Sequence, residues 1–140
     1  LNERKVPAMA FFHMPPAEFK EAYEKMKLGD HSVIYEHGSI GEKDEYFGIS
    51  NRPPHFFEKA VDNGWLKWIF CGHDHLNTLS LTYKGIRMTY GMSIDYLGYS
   101  GIAKQYIQRG ATLITRKTDG NIDITMVPLT TVVSTRVRGA

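Results

Sequence analysis

Two histidines one residue apart, His73 and His75, close the segment Gly72-His73-Asp74-His75 directly after the apolar run Leu66-Lys67-Trp68-Ile69-Phe70-Cys71. A neutral imidazole is the commonest side-chain metal ligand, so a His-x-His pair at a strand end suits metal binding. On a regular strand the pair would share one face. On a strand-to-loop turn the two rings can diverge toward neighbouring ions. A third histidine, His13, occupies a comparable place at the end of the apolar run before Met14-Pro15. Any one of these histidines is more simply read as a satisfied core residue. Three of them at strand ends favour a shared metal.

The elements that must position them follow from the pattern of apolar residues. A short buried strand is expected over Val6 to His13, broken by Met14-Pro15-Pro16. Pro16 suits the first position of a helix. Phe19, Ala22, Tyr23 and Met26 then fall at i, i+3, i+4 and i+7, one stripe of an amphipathic helix that stops near Gly29. Asp30 to Arg52 shows no sustained period and reads as a long loop, a kind often functional in compact domains. A second helix after Pro53-Pro54 carries Phe57, Ala60 and Val61 on one face and ends at Gly64. Strand, helix, helix, strand implies a crossover connection and two parallel strands. Open α/β sheets place their ligands at the carboxyl ends of such strands, where His13 and His73 lie.

The remainder reads as antiparallel. Leu79, Leu81 and Tyr83 alternate before Lys84-Gly85, and Ile86, Met88 and Tyr90 alternate after it, so a two-residue turn pairs 83 with 86, 81 with 88 and 79 with 90. A second hairpin turns at Asp119-Gly120, with Arg116 expected opposite Asp123. Between them, Tyr90 to Gly101 is a loop rich in glycine and tyrosine.

Composition sets outer bounds. A hydrophobic fraction of 42%, a charged fraction of 23% and a net charge of +2 describe a globular chain and exclude intrinsic disorder. The charge is too small and too dispersed for a nucleic-acid scaffold. Cys71, the single cysteine, excludes an internal disulfide framework and reads as a core residue rather than a nucleophile. No stretch approaches the roughly 20 apolar residues of a membrane span, and no targeting segment is visible, which leaves localisation open.

The two strand ends, Phe11-Phe12-His13-Met14-Pro15-Pro16 and Phe70-Cys71-Gly72-His73-Asp74-His75-Leu76-Asn77, followed by a strand into a Gly/Tyr loop, resemble the last two motifs of calcineurin-like metallophosphoesterases. The wording is similar to the branch related to purple acid phosphatases, from about Ala8 to about Arg116. That resemblance implies the second half of an αββα sandwich over 1–128, followed by a tail over 129–140. It implies two metal ions, with His13 and His73 on one and His75 on the other. Imidazole donors suit iron, zinc or manganese better than calcium or magnesium. The reaction implied is hydrolysis of a phosphate ester, foremost a phosphomonoester, by a metal-activated hydroxide. A phosphodiesterase or nucleotide hydrolase of the same fold is one alternative, and a non-catalytic metal-binding or structural module is another. Asp74 or Asn77 could orient the imidazoles as hydrogen-bond partners, although Asp74 reads equally as a solvated loop acid. Tyr96, with Tyr90 and Tyr99, either closes over substrate or packs.

The family's earlier motifs, Asp-x-His, Gly-Asp-x-x-Asp and Gly-Asn-His-Asp/Glu, have no match in this chain. They normally supply the bridging aspartate, a ligand asparagine and the histidine that helps protonate the leaving group. The chain is therefore expected to be the C-terminal half of a longer enzyme, partnered by the N-terminal half of its own domain and inactive alone. His31, His37 and His55 are expected on the surface, with one or two facing the site from the long loop as the alternative, and the spacing selects none of Arg87, Arg109 and Arg116 as a phosphate ligand.

Overall fold

The computed structural model describes residues 6–49, 55–105 and 109–129. Its elements are β1 (Ala8–Phe11), α1 (Ala17–Lys27), β2 (Val33–His37), α2 (His55–Asn63), β3 (Leu66–Cys71), β4 (Ser80–Tyr83), β5 (Ile86–Tyr90), β6 (Gly110–Arg116) and β7 (Ile122–Pro128). The chain divides into two compact units, Leu1–Gly91 and Met92–Ala140. The first holds a five-stranded mixed sheet in the order β1-β3-β5-β4-β2, and the second a two-stranded sheet of β6 and β7. The fold class is α/β, with β1, β3 and β5 parallel and an antiparallel hairpin following.

One face of the large sheet makes the core. Ile69, Cys71, Leu81, Tyr83, Ile86, Met88 and Tyr90 meet Phe19 and Ala22 of α1, Phe57 and Ala60 of α2, and Phe47 from the loop between β2 and α2. The helical stripe read from sequence is borne out: Phe19 and Ala22 are fully buried and Tyr23 and Met26 pack against them. Pro16 stands one position earlier than expected, as the extended residue before the helix.

β1 departs from the expectation of a continuously buried strand. It pairs only with β3, so it is a sheet edge, and its side chains alternate: Ala8 and Ala10 pack on the core while Phe11 is 64% exposed. Apolar runs do not distinguish a two-sided buried strand from an edge strand with an apolar outer face.

The long loop hides β2, whose Val33-Ile34-Tyr35 pairs antiparallel with β4 at the opposite sheet edge. Those β-branched and aromatic residues were the available signal. They are only three, set among polar neighbours.

The first hairpin forms as read, Tyr83 opposite Ile86 and Leu81 opposite Met88. Lys84 and Gly85 both take positive φ, the two-residue turn that matches strand twist. The second hairpin is shifted by one. Arg116 lies opposite Ile122 and Thr115 opposite Asp123, because the loop has three residues, 118–120. Lys117 N–H donates to Asn121 O across its base and Gly120 has φ +87°. The cross-strand charge pair still forms, with Lys117 in place of Arg116, at 2.7 Å from Asp123. Of the proposed tail, only Leu129 lies within the described residues.

Phe19→Ala is expected to cost about 3–5 kcal/mol, since a fully buried aromatic leaves a cavity. Leu28→Ala, at 88% exposure, should cost less than about 0.5 kcal/mol in the same denaturant titration.

Candidate metal centre

The parallel pairing of β1 and β3 continues past both strands. Phe12 N–H donates to Phe70 O at 2.9 Å, and Gly72 N–H donates to His13 O at 3.0 Å. Residues separated by sixty positions are thereby tied backbone to backbone, and the rings of His13 and His73 stand 5.1 Å apart, tilted by 51°. His13 is exposed and His73 half-buried.

His73 sits in the left-handed region at φ +72°. Asp74 N–H donates back to Gly72 O at 2.9 Å, so His73 is the central residue of a γ-turn with positive φ, a rare and strained conformation. Non-glycine residues persist there only when their surroundings over-determine them. The strand has already ended at Cys71 and this turn follows it, so the rings of His73 and His75 do not follow strand alternation. His75 is half-buried beyond it. Among the described residues no group of three His, Cys, Asp or Glu side chains could hold a metal ion. His13 and His73 are brought together; His75 does not complete a set with them.

Asp74 and Asn77 are buried, at 5% and 0% exposure. Asp74 Oδ2 accepts from Gly48 N–H at 2.9 Å and from the Tyr90 hydroxyl at 2.5 Å. Asn77 Oδ1 accepts from Gly41 and Glu42 N–H at 3.0 and 3.1 Å, and its Nδ2 donates to Tyr46 O at 3.1 Å. Leu76 N–H donates to the Glu42 carboxylate, and Thr78 N–H to Ser39 O. The polar atoms of Asp74 and Asn77 thus hold the 39–48 segment, which runs along the histidine loop as a strap. Burial, then the Asp74 carboxylate, pushes the Tyr90 phenol far above its ordinary range. Burial also raises the Cys71 thiol, with the Asp74 charge adding to it, which agrees with a core cysteine.

Gly72, expected to allow close backbone approach, is not sterically required: a Cβ there would meet only His13 O, at 3.9 Å. The close approach occurs at Gly48, which sequence reading passed over because a single glycine in an aperiodic loop carries no signal. His37, expected at the surface, is part-buried, with Nδ1 3.1 Å from an Arg87 guanidinium nitrogen. Burial and then Arg87 hold it below its ordinary pKa. His31 and His55 are exposed. Tyr96 belongs to the second unit, 43% exposed, its ring 5.1 Å from the Arg109 guanidinium carbon. Arg109 is buried and donates to Asp95 O and Ile102 O, which explains its place as a packing residue of the Gly/Tyr loop.

Comparison with curated proteins gives three similar Arabidopsis thaliana proteins. "Probable inactive purple acid phosphatase 29" is 28% identical over 98 residues, 70% of this chain and 22% of the relative. "Probable inactive purple acid phosphatase 28" is 31% identical over 93 residues, 66% of this chain and 20% of the relative. "Probable inactive purple acid phosphatase 14" is 38% identical over 47 residues, 34% of this chain and 12% of the relative. The chain is similar to purple acid phosphatase-related proteins over about two thirds of its length, at 28% and 31% identity. No protein-family model matches it, and no solved structure matches significantly. It spans about a fifth of the length of the first two relatives. The Asp74–Tyr90 bond ties the histidine loop to the end of β5. Tyr90→Phe leaves a buried carboxylate one donor short, and denaturant titration should show a loss of about 1–3 kcal/mol.

Proposed function

We propose that the intact protein is a metal-dependent phosphoric ester hydrolase acting on phosphomonoesters, to which this chain (1–128, with a tail over 129–140) contributes the C-terminal part of the domain. His13 and His73 would share one ion and His75 would serve a second. The observation that carries this reading is the 5.1 Å separation of the His13 and His73 rings at adjacent parallel strand ends. With metal–nitrogen bonds of about 2.0–2.1 Å, two imidazoles on one ion at a near-tetrahedral angle have ring centres about 5 Å apart. The donor type suits iron, zinc or manganese. The remaining ligands, including the bridging carboxylate, would come from the N-terminal half of the domain, and this chain alone would be inactive. The ion pair, when bound, supplies a hydroxide at neutral pH and stabilises the entering and leaving oxygens of an in-line displacement at phosphorus. What the chain's own residues do is hold two imidazoles side by side, through the ladder of β1 and β3 and, on the His73 side, the strap.

A second reading is a module that binds metal without turnover. The names of the three relatives, each "probable inactive", favour weighing it. Metal content and turnover of the intact protein separate the two. Two transition ions per chain, and hydrolysis of a chromogenic phosphomonoester that His75→Ala abolishes, are expected. Metal without turnover would leave the binding module; neither metal nor turnover would remove both.

A further inference from the structure

Gly48 is where the strap touches the candidate centre. A Cβ built there would stand 2.5 Å from His73 Nε2, still closer to His73 Cδ2, and 2.7 Å from Asp74 Oδ1. Side chains essentially never tolerate contacts below 3.0 Å. Gly48 does not require positive φ, so the demand for glycine here is one of space alone. The backbone of residue 48 lies against the Nε2–Cδ2 edge of the imidazole while its N–H holds the neighbouring carboxylate.

The strap that presents Gly48 is itself fixed at a cost. Asp44 and Glu45 have φ of 56° and 53°, two consecutive non-glycine residues in the left-handed region, where Cβ crowds the following carbonyl oxygen. Glu45 is gripped from α1 by Lys27 and by the Tyr23 hydroxyl. Phe47 then enters the core, 5.9 Å between ring centres from both Phe19 and Tyr90. Strain on both sides of one contact, at 44–45 and at His73, marks a conformation the surroundings impose.

We propose that Gly48 is a positioning residue for His73: with the Asp74 anchor it confines the imidazole beside His13, and any side chain at 48 displaces the ring. This rests on the metallophosphoesterase reading for its consequence, weaker metal binding, but not for the ring displacement itself. Three measurements on the intact protein test it. In the metal-free state, histidine side-chain NMR of Gly48→Ala should show the His73 ring resonances moved and those of exposed His31 unmoved. Zinc titration should show affinity reduced by roughly 10–100-fold, the usual effect of losing ligand orientation. In thermal melts, Gly48→Ala should cost less in a His73→Ala background than in the wild type, because the ring, the nearer of the two groups a Cβ would meet, is gone while Asp74 remains. That coupling is readable even if Gly48→Ala alone is poorly folded. Unmoved His73 resonances with wild-type zinc affinity, or additive melting losses, would overturn the role of Gly48. If the wild type binds no zinc, the metal reading fails, while ring displacement and coupling still decide this one.

Discussion

One hydrogen bond, from Gly72 N–H to His13 O, joins the two strand ends that carry the histidines of the candidate centre. Parallel strands cannot be joined locally, so the contact must be made by a chain that has passed through α1, β2 and α2 first. Once β1 and β3 are in register, the bond follows from the continuation of their ladder, and the two imidazoles need no further recognition to meet. Packing of Ala8 and Ala10 of β1 and of Ile69 and Cys71 of β3 into one core supports that register. Shifting one strand by a residue would turn its core side chains to the other face. Core packing and the placement of the two imidazoles are thus one constraint.

A second layer acts on the loop rather than the strands. Ligand loops at strand ends are mobile unless something ties them, because few apolar groups hold them. Here the tie is polar and almost wholly buried: Asn77 takes three backbone partners from the strap, and Asp74 joins Gly48 to Tyr90. Removing one member leaves a buried group unsatisfied, which costs more than the bond contributes net. Left-handed backbone occurs on both sides of this tie, at His73 and at 44–45, the latter held from α1 by Lys27 and Tyr23.

Much of this was legible in sequence, for reasons that can be named. The stripe through Phe19, Ala22, Tyr23 and Met26 and the alternation about Lys84-Gly85 are periodic and local, so one face of each element could be assigned. The run ending at Cys71 announced a strand with a histidine loop at its end. What stayed hidden depends on contacts distant in sequence. β2 was lost because three β-prone residues are too few to carry a period. The strap was lost because Asn77 and Asp74 look like ordinary loop polars until their partners at 41–48 are known. The close approach to His73 is made by Gly48 and not by Gly72; adjacency to the histidines is visible in sequence and spatial approach is not. Arg109, one arginine among several, is buried for a reason lying fourteen residues back, at the Asp95 carbonyl.

The central claim is that His13 and His73 are ligands to the same ion. The most direct measurement is a stepwise zinc titration of the intact, metal-free protein, followed through the side-chain NMR signals of individual histidines. His13 and His73 should respond together and saturate at the same equivalent, with His37 unchanged. Independent responses from His13 and His73, or a response from one without the other, would contradict a shared ion.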